Sequence, residues 1–406
     1  MAFWEARTTK KNNSAPTATH RAQELAASSG GVLRAACEQA DLRGVRNVNA
    51  YAGKEAASFG EPSVMNTDLT DKTLEELEQT VLAFQQKKYL ARYIFSFIHA
   101  KGVRQISQLS PLSKAFRRQL TEQGYYICQL NSVTTLEDPD GTVKYLFQLA
   151  DGNRIEAVLL NESGRRTACV STQVGCAMNC SFCATARVRL RRNLTAGEIV
   201  DQVNTIEQDR CRISNVVYMG MGEPLLNYDA VLKSVRILNH PDGKQIGVRH
   251  ITVSTCGIAP AIRQLATEDI RPRLAISLNA PTDALRTRLM PVNAKYPLAA
   301  LLQAVHSYQI RTRQRVTFEY VMIDGINDKS QHARALVERL RPVHCNVNLI
   351  EHNPHPGCKF VSSSVQRIGQ FAEILTSAGV ETTVRLRMGR KINAACGQLG
   401  ADWRDG

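Results

Sequence analysis

From about residue 70 the apolar positions recur at helical spacing. Leu74, Leu77, Val81 and Phe84 follow a Thr73/Glu76 capping box, in which each side chain satisfies a backbone N–H at the other's position. Leu90, Ile94, Phe97 and Ile98 continue the pattern, and Ser110-Pro111 is expected to open a third short helix with Phe116 and Leu120 inward. Residues 67–125 thus read as a small helical accessory domain. Extended runs follow, separated by Asp138-Pro139-Asp140-Gly141 and Asp151-Gly152-Asn153. Both are turn signals between strands, so residues 126–161 read as a β-hairpin extension.

Beyond about residue 165 the period changes again. Apolar, β-branched runs at Asn215–Met219, His250–Ser254, Arg273–Leu278, Arg315–Ile323, Asn346–Ile350 and Thr382–Arg387 alternate with helical stretches. Thr195–Gln208, with its own Thr195/Glu198 capping box, and Ser364–Ser377 are examples. Such alternation predicts an α/β core over residues 162–402 built on a parallel sheet. Periodicity leaves a barrel and an open doubly wound sheet both open. In either, function collects where the strands end, in the loops at their C-terminal ends. Residues 1–66, rich in Ala, Ser, Asn and Gly with little periodicity, read as a flexible extension. Its acids Glu5, Glu24, Glu38 and Asp41 fit an organellar targeting peptide poorly.

Composition narrows the function. A net charge of +14 over 406 residues points to a polyanionic partner, because Lys and Arg gain affinity by releasing counterions from phosphates. No apolar run is long enough to span a bilayer. The 11 cysteines are odd in number and follow no apolar signal-peptide core, which speaks for a reducing, cytoplasmic setting with metal or redox chemistry. Three of them, Cys176, Cys180 and Cys183, are spaced C-x3-C-x2-C. A structural zinc site wants four ligands, and the sequence offers no fourth Cys or His close by. Three thiolates suit a 4Fe-4S cluster with one iron left open for a substrate. After an apolar strand, Gly220 and Gly222 leave room for a ligand to approach the backbone, and Glu223 can accept a hydrogen bond from an ammonium group. A tight turn is the commoner reason for such a Gly-x-Gly.

The motifs in order are Cys169-Val-Ser-Thr-Gln-Val-Gly-Cys176, Asn193-Leu194-Thr195, Met219-Gly220-Met221-Gly222-Glu223-Pro224-Leu225, Asn353-Pro354 and Ala394-Ala395-Cys396-Gly397-Gln398-Leu399. From about residue 70 to 402 the chain resembles the RlmN/Cfr family of radical S-adenosylmethionine (SAM) RNA methyltransferases. The resemblance implies a partial (β/α) barrel with a helical N-terminal accessory domain, a 4Fe-4S cluster on Cys176, Cys180 and Cys183, and SAM bound by Gly222, Glu223, Ser254, Ser277, Leu278, Asn279 and Asn353. It further implies that Cys396 carries a methyl group, that Cys169 releases the RNA adduct by forming a disulfide with it, and that Glu156 accepts a proton. The expected target is an adenine of 23S rRNA and of tRNA. An electron donor such as flavodoxin and a monomeric, cytoplasmic enzyme are expected with it.

The chemistry explains the unusual apparatus. C2 and C8 of adenine are not nucleophiles, so a methyl cation finds no lone pair there, and a radical route avoids that barrier. RNA contacts are expected from Arg165, Arg166, Arg187, Arg189, Arg191 and Arg192, and from Arg385, Arg387, Arg390 and Lys391, which flank the active-site loops. Three positions depart from the family pattern: Arg189 stands for a Gly, Arg390 and Lys391 for acids, and Asn279 for a His. The alternatives are C8 methylation of rRNA, or an iron-sulfur RNA-binding protein without methylation. The second has no need of Cys169 and Cys396. Methylthiotransferases carry a second set of cluster cysteines that is not found here.

Overall fold

The computed structural model describes residues 66–162, 164–385 and 388–402. The expected extension, apart from residue 66, and the candidate Arg387 lie outside the described residues. Helices α1 (Leu74–Ala83) and α2 (Leu90–His99) pack together, and the Thr73/Glu76 capping box forms as its residues predict. Helix α3 (Lys114–Glu122) starts later than Ser110-Pro111 suggests. Ser113, not Ser110, accepts the Phe116 N–H at 3.1 Å, so the Pro sits in the turn before the cap. Phe116 and Leu120 do face inward.

The main sheet has ten strands in strictly sequential order. β1 (Asn131–Glu137), β2 (Val143–Gln148), β3 (Arg154–Glu162) and β4 (Arg165–Cys169) are antiparallel, the first three joined by the two predicted turns. From β4 onward every neighbour is parallel: β5 (Asn215–Tyr218), β6 (Ile251–Thr255), β7 (Arg273–Ser277), β8 (Val316–Met322), β9 (Cys345–Glu351) and β10 (Glu381–Arg385). The hairpins are therefore continuous with the parallel sheet.

Strand order decides what periodicity could not. A doubly wound sheet reverses direction at a switch point, whereas here each right-handed crossover advances the same way. The crossover helices α4 (Ala196–Asp209), α5 (Tyr228–Asn239), α6 (Ala259–Leu265), α7 (Asp283–Leu289), α8 (Leu298–Thr312), α9 (Ser330–Leu340) and α10 (Val365–Ser377) then share one face. The other face becomes a lumen. Among the described residues β4 and β10 are not paired, so the barrel is partial.

Each strand shows the consequence. On β8, Val316, Phe318, Tyr320 and Met322 face the helices and are fully buried, while Thr317, Glu319 and Val321 alternate toward the lumen. Ser254 and Ser277 occupy the corresponding face of β6 and β7. Arg286, on α7, has no exposed surface and ties these strand ends together. Its guanidinium donates to the carbonyls of Cys256 (2.6 Å), Ser277 (3.1 Å) and Leu278 (3.2 Å) and to Asn293 Oδ1 (3.0 Å). Replacing it leaves buried acceptors without donors, so Arg286→Met is expected to destabilise the fold by about 3–5 kcal/mol. Chemical denaturation of the two proteins measures this, and a loss below about 1 kcal/mol would contradict the tie.

Candidate active site

The three spaced cysteines lie on a loop that leaves the barrel after β4. Its base is clasped by two short antiparallel strands, Gln173–Val174 against Arg192–Asn193. Gly175, at φ +80°, fits only without a side chain, since a Cβ there would strike the carbonyl of Arg189. The clasp also consumes arginines: Arg192 donates to Asp151 (2.6 Å) and to both oxygens of Glu198 (2.8 Å each).

Cys176, Cys180 and Cys183 share one cavity with Gly222, Glu223, Ser254, Ser277, Asn279, Asn353 and Cys396, a space of about 160 Å³ at the lumen mouth. Leu278 is not on its wall. The side chain packs in the core, and its main chain is spent on the Glu319 carbonyl and on Arg286. The glycines also read differently from the ligand-access expectation. A Cβ on Gly220 would meet Val170 and Ser171 at 2.7 Å, and one on Gly222 would meet Gln173 at 2.6 Å, so neighbouring protein demands both. Asn279, at φ +59°, spends its amide on the Val321 N–H (2.8 Å) and on Met290 Sδ (3.2 Å).

Glu223 is buried, and its carboxylate accepts backbone N–H groups from Leu225 (3.1 Å) and Cys256 (2.8 Å). Burial nevertheless holds its pKa above the usual range. Cys256, which sequence spacing did not single out, lies on the same cavity with its thiol against Glu223. Burial likewise raises the thiols of Cys176, to about 12, and of Cys180 and Cys183. Such thiols lose their protons when a metal centre compensates the charge. Among the described residues no three His, Cys, Asp or Glu side chains gather closely enough to hold one metal ion. In a cluster each thiolate takes a different iron, so its ligands need not converge.

A second cavity of about 60 Å³ adjoins the first and holds Cys169 and Cys396 together. Cys396 lines both. Burial, then the neighbouring Cys396, pushes the Cys169 thiol up to about 12. Arg385 turns inward beside both thiols instead of facing solvent, and the charge it meets there, first from Cys396, raises its pKa. Glu156 is buried and lines neither cavity. Its carboxylate accepts the Gly400 N–H at 2.9 Å and lies 3.6 Å from Lys144 Nζ.

Of the remaining basic candidates, Arg165 pairs with Glu162 and Arg390 with Glu351, both at the surface. Arg166, Arg187, Arg189, Arg191 and Lys391 are exposed. Glu319 was missed by the sequence reading. It is 5% exposed and lines the larger cavity, and its Oε2 has no hydrogen-bond partner; Asn353 Oδ1, on the same cavity, has none either. The signal was available, since a lone charge inside the apolar run Val316–Met322 is costly to bury without purpose. Three cysteines and two residues with unpaired buried acceptors lining the same space fit a cluster with SAM beside it.

No helix among the described residues is long and apolar enough to cross a membrane. Residues 170–337 match the radical SAM superfamily, and residues 67–125 match the N-terminal domain of the ribosomal RNA large subunit methyltransferase. A dual-specificity RNA methyltransferase RlmN of Syntrophobacter fumaroxidans is 46% identical over 82% of this chain and 98% of that protein. A probable dual-specificity RNA methyltransferase RlmN of Thermoanaerobacter sp. is also 46% identical, over 82% of this chain and 97% of its own length. The crystal structure of a radical SAM methyltransferase from Sphaerobacter thermophilus, 44% identical, superposes with a TM-score of 0.79 over 83% of this chain and all of that one. This chain belongs to the RlmN family and is a radical SAM enzyme that uses a 4Fe-4S cluster and SAM to methylate RNA.

Proposed function

We propose that this enzyme places a methyl group on C2 of adenine in 23S rRNA and in tRNA, and that the methyl travels through Cys396. The carrying observation is the position of Cys396 on the wall common to two cavities, one with the spaced cysteines and one with Cys169. The dual specificity in the names of the relatives supports two RNA classes. Cys176, Cys180 and Cys183 would hold the cluster, and Glu223, Ser254, Ser277 and Asn353 would line the SAM site. When bound, the two groups supply an electron and a radical able to abstract hydrogen.

The protein's own side chains divide the remaining work. Cys396, as thiolate, would take the methyl group, its S–C bond forming as the sulfonium's S–CH3 bond breaks and S-adenosylhomocysteine leaves, and would hold that carbon toward the base. Cys169 later attacks the Cys396 sulfur, so that an S–S bond forms as the bond from Cys396 to the methyl-derived carbon breaks. Arg385 favours the thiolate form of Cys169. Glu156, which accepts the Gly400 N–H of the terminal segment, is the proposed proton acceptor. Exposed Arg187, Arg189 and Arg191 offer phosphate contacts beside the cluster loop. We further propose a cytoplasmic monomer served by a flavodoxin-like donor.

Anaerobically reconstituted protein is expected to absorb broadly in the visible, and Cys176→Ala, Cys180→Ala or Cys183→Ala to abolish that band. Stoichiometric zinc without iron would refute the cluster assignment. Charge reversal of Arg189 with Arg191 is expected to weaken RNA affinity and flatten its salt dependence, while SAM cleavage without RNA survives. An unchanged salt slope returns these side chains to solvent.

The thiols give the sharpest test. Cys396→Ala should keep the cluster and lose RNA methylation. Cys169→Ala should trap a crosslink between Cys396 and RNA, a slow band that ribonuclease collapses. Normal turnover by either variant would show the covalent scheme to be wrong. Mass spectrometry of the product nucleoside then decides between C2 and C8.

A further inference from the structure

Glu319 is a buried carboxyl group with no part in the scheme above, and burial raises its pKa. On the lumen face of the sheet it stands between Ser277 of β7 and Asn348 of β9, its register partners. Asn348 Nδ2 donates to Oε1 at 3.0 Å, whereas Oε2 is sealed from solvent and accepts nothing. Arg385, two strands away, stabilises the carboxylate through its field but makes no hydrogen bond to that oxygen. An ionised carboxylate left so costs several kcal/mol unless a cation approaches.

SAM brings two cationic centres into a cavity lined by two carboxylates, Glu223 and Glu319. The ammonium donates hydrogen bonds and suits Glu223, beside the cluster cysteines. A sulfonium has no N–H to give and is met by charge alone, so it suits an anionic oxygen that no other donor has claimed. We propose that Glu319 is the counter-charge to the SAM sulfonium, and so lets the site tell SAM from S-adenosylhomocysteine. The two ligands share the ammonium, carboxylate and nucleoside, but only SAM is charged at sulfur. A site of this kind releases the neutral product after polar methyl loss and admits a fresh SAM. The inference rests on SAM as cofactor and not on the covalent scheme.

Equilibrium dialysis of anaerobically reconstituted wild type and Glu319→Gln against both ligands tests it. The variant is expected to keep its visible absorption, to lose about tenfold or more in SAM affinity, and to bind S-adenosylhomocysteine within about twofold of wild type. Equal losses for both ligands, or no loss for SAM, would overturn the proposal. Unchanged SAM affinity with a changed alkylation rate at Cys396 would also overturn it, and would make Glu319 a counter-ion to Arg385. Should Glu319→Gln fail to hold its cluster, Glu319→Asp carries the test. It keeps the charge and must keep the preference for SAM, and a lost preference there refutes the idea. Failure of the wild type to bind SAM would count instead against the family assignment.

Discussion

The site depends on a short terminal segment being fastened across the mouth of the barrel. Asn353 Nδ2 donates to the Cys396 carbonyl at 3.0 Å, and Gln398 Nε2 donates to the Pro354 carbonyl at 2.7 Å, both from or onto the loop after β9. The cluster loop grips the same segment, with the Ala184 N–H on the Gly397 carbonyl and Thr185 Oγ1 on the Leu399 carbonyl, each at 2.7 Å. From β3, Glu156 takes the Gly400 N–H. Buried backbone groups left unpaired are expensive, so these bonds fix the segment in register. Cys396 is thereby held where the two cavities meet. Glu156 contributes to that fastening whatever further part it takes in proton transfer.

The barrel supplies the second constraint. Winding in one direction puts all the parallel crossovers on one face and leaves the other to a lumen whose side chains alternate with a fully buried apolar row. Ser254, Ser277, Thr317, Glu319 and Asn348 are among the polar members of that lumen face. Two of its features run against stability, the raised carboxyl groups of Glu223 and Glu319. Glu319 also has an oxygen that accepts nothing, and a polar group left so is tolerated where a ligand completes it. Arg286 does the opposite service behind the lumen, satisfying three carbonyls at the ends of β6 and β7 so that the loops carrying Cys256 and Asn279 keep their positions.

Local signals made much of this legible. The Thr73 and Thr195 capping boxes, the two hairpin turns and the β-branched runs gave the elements, because each depends on residues near in sequence. The closed-side topology was not legible, since strand order is a long-range property; it had to be carried by the family likeness. The same reason explains the errors at the site. Spacing gathers Cys176, Cys180 and Cys183, but it cannot bring in Cys256, Glu319 or Arg385, which reach the cavities from other strands. Gly220 and Gly222 do line the larger cavity, but Val170, Ser171 and Gln173 press on them as well, which spacing could not show. Arg192 and Arg385 looked like parts of a phosphate-binding run, yet one is consumed by Asp151 and Glu198 and the other faces the thiols.

Electrostatics in the smaller cavity give the proposed order of events a physical basis. Cys169 is held protonated by burial and by the charge that Cys396 can carry. Once Cys396 bears a methyl group or an RNA adduct its sulfur can no longer ionise, so the repulsive share of that shift disappears while Arg385 remains. Cys169 then becomes more acidic at the stage when its thiolate is needed. Before that stage Cys169, its thiol raised by burial and by its neighbour, is a poor nucleophile. Under the proposed scheme, the guanidinium beside Cys169 thus favours release once alkylation has taken place.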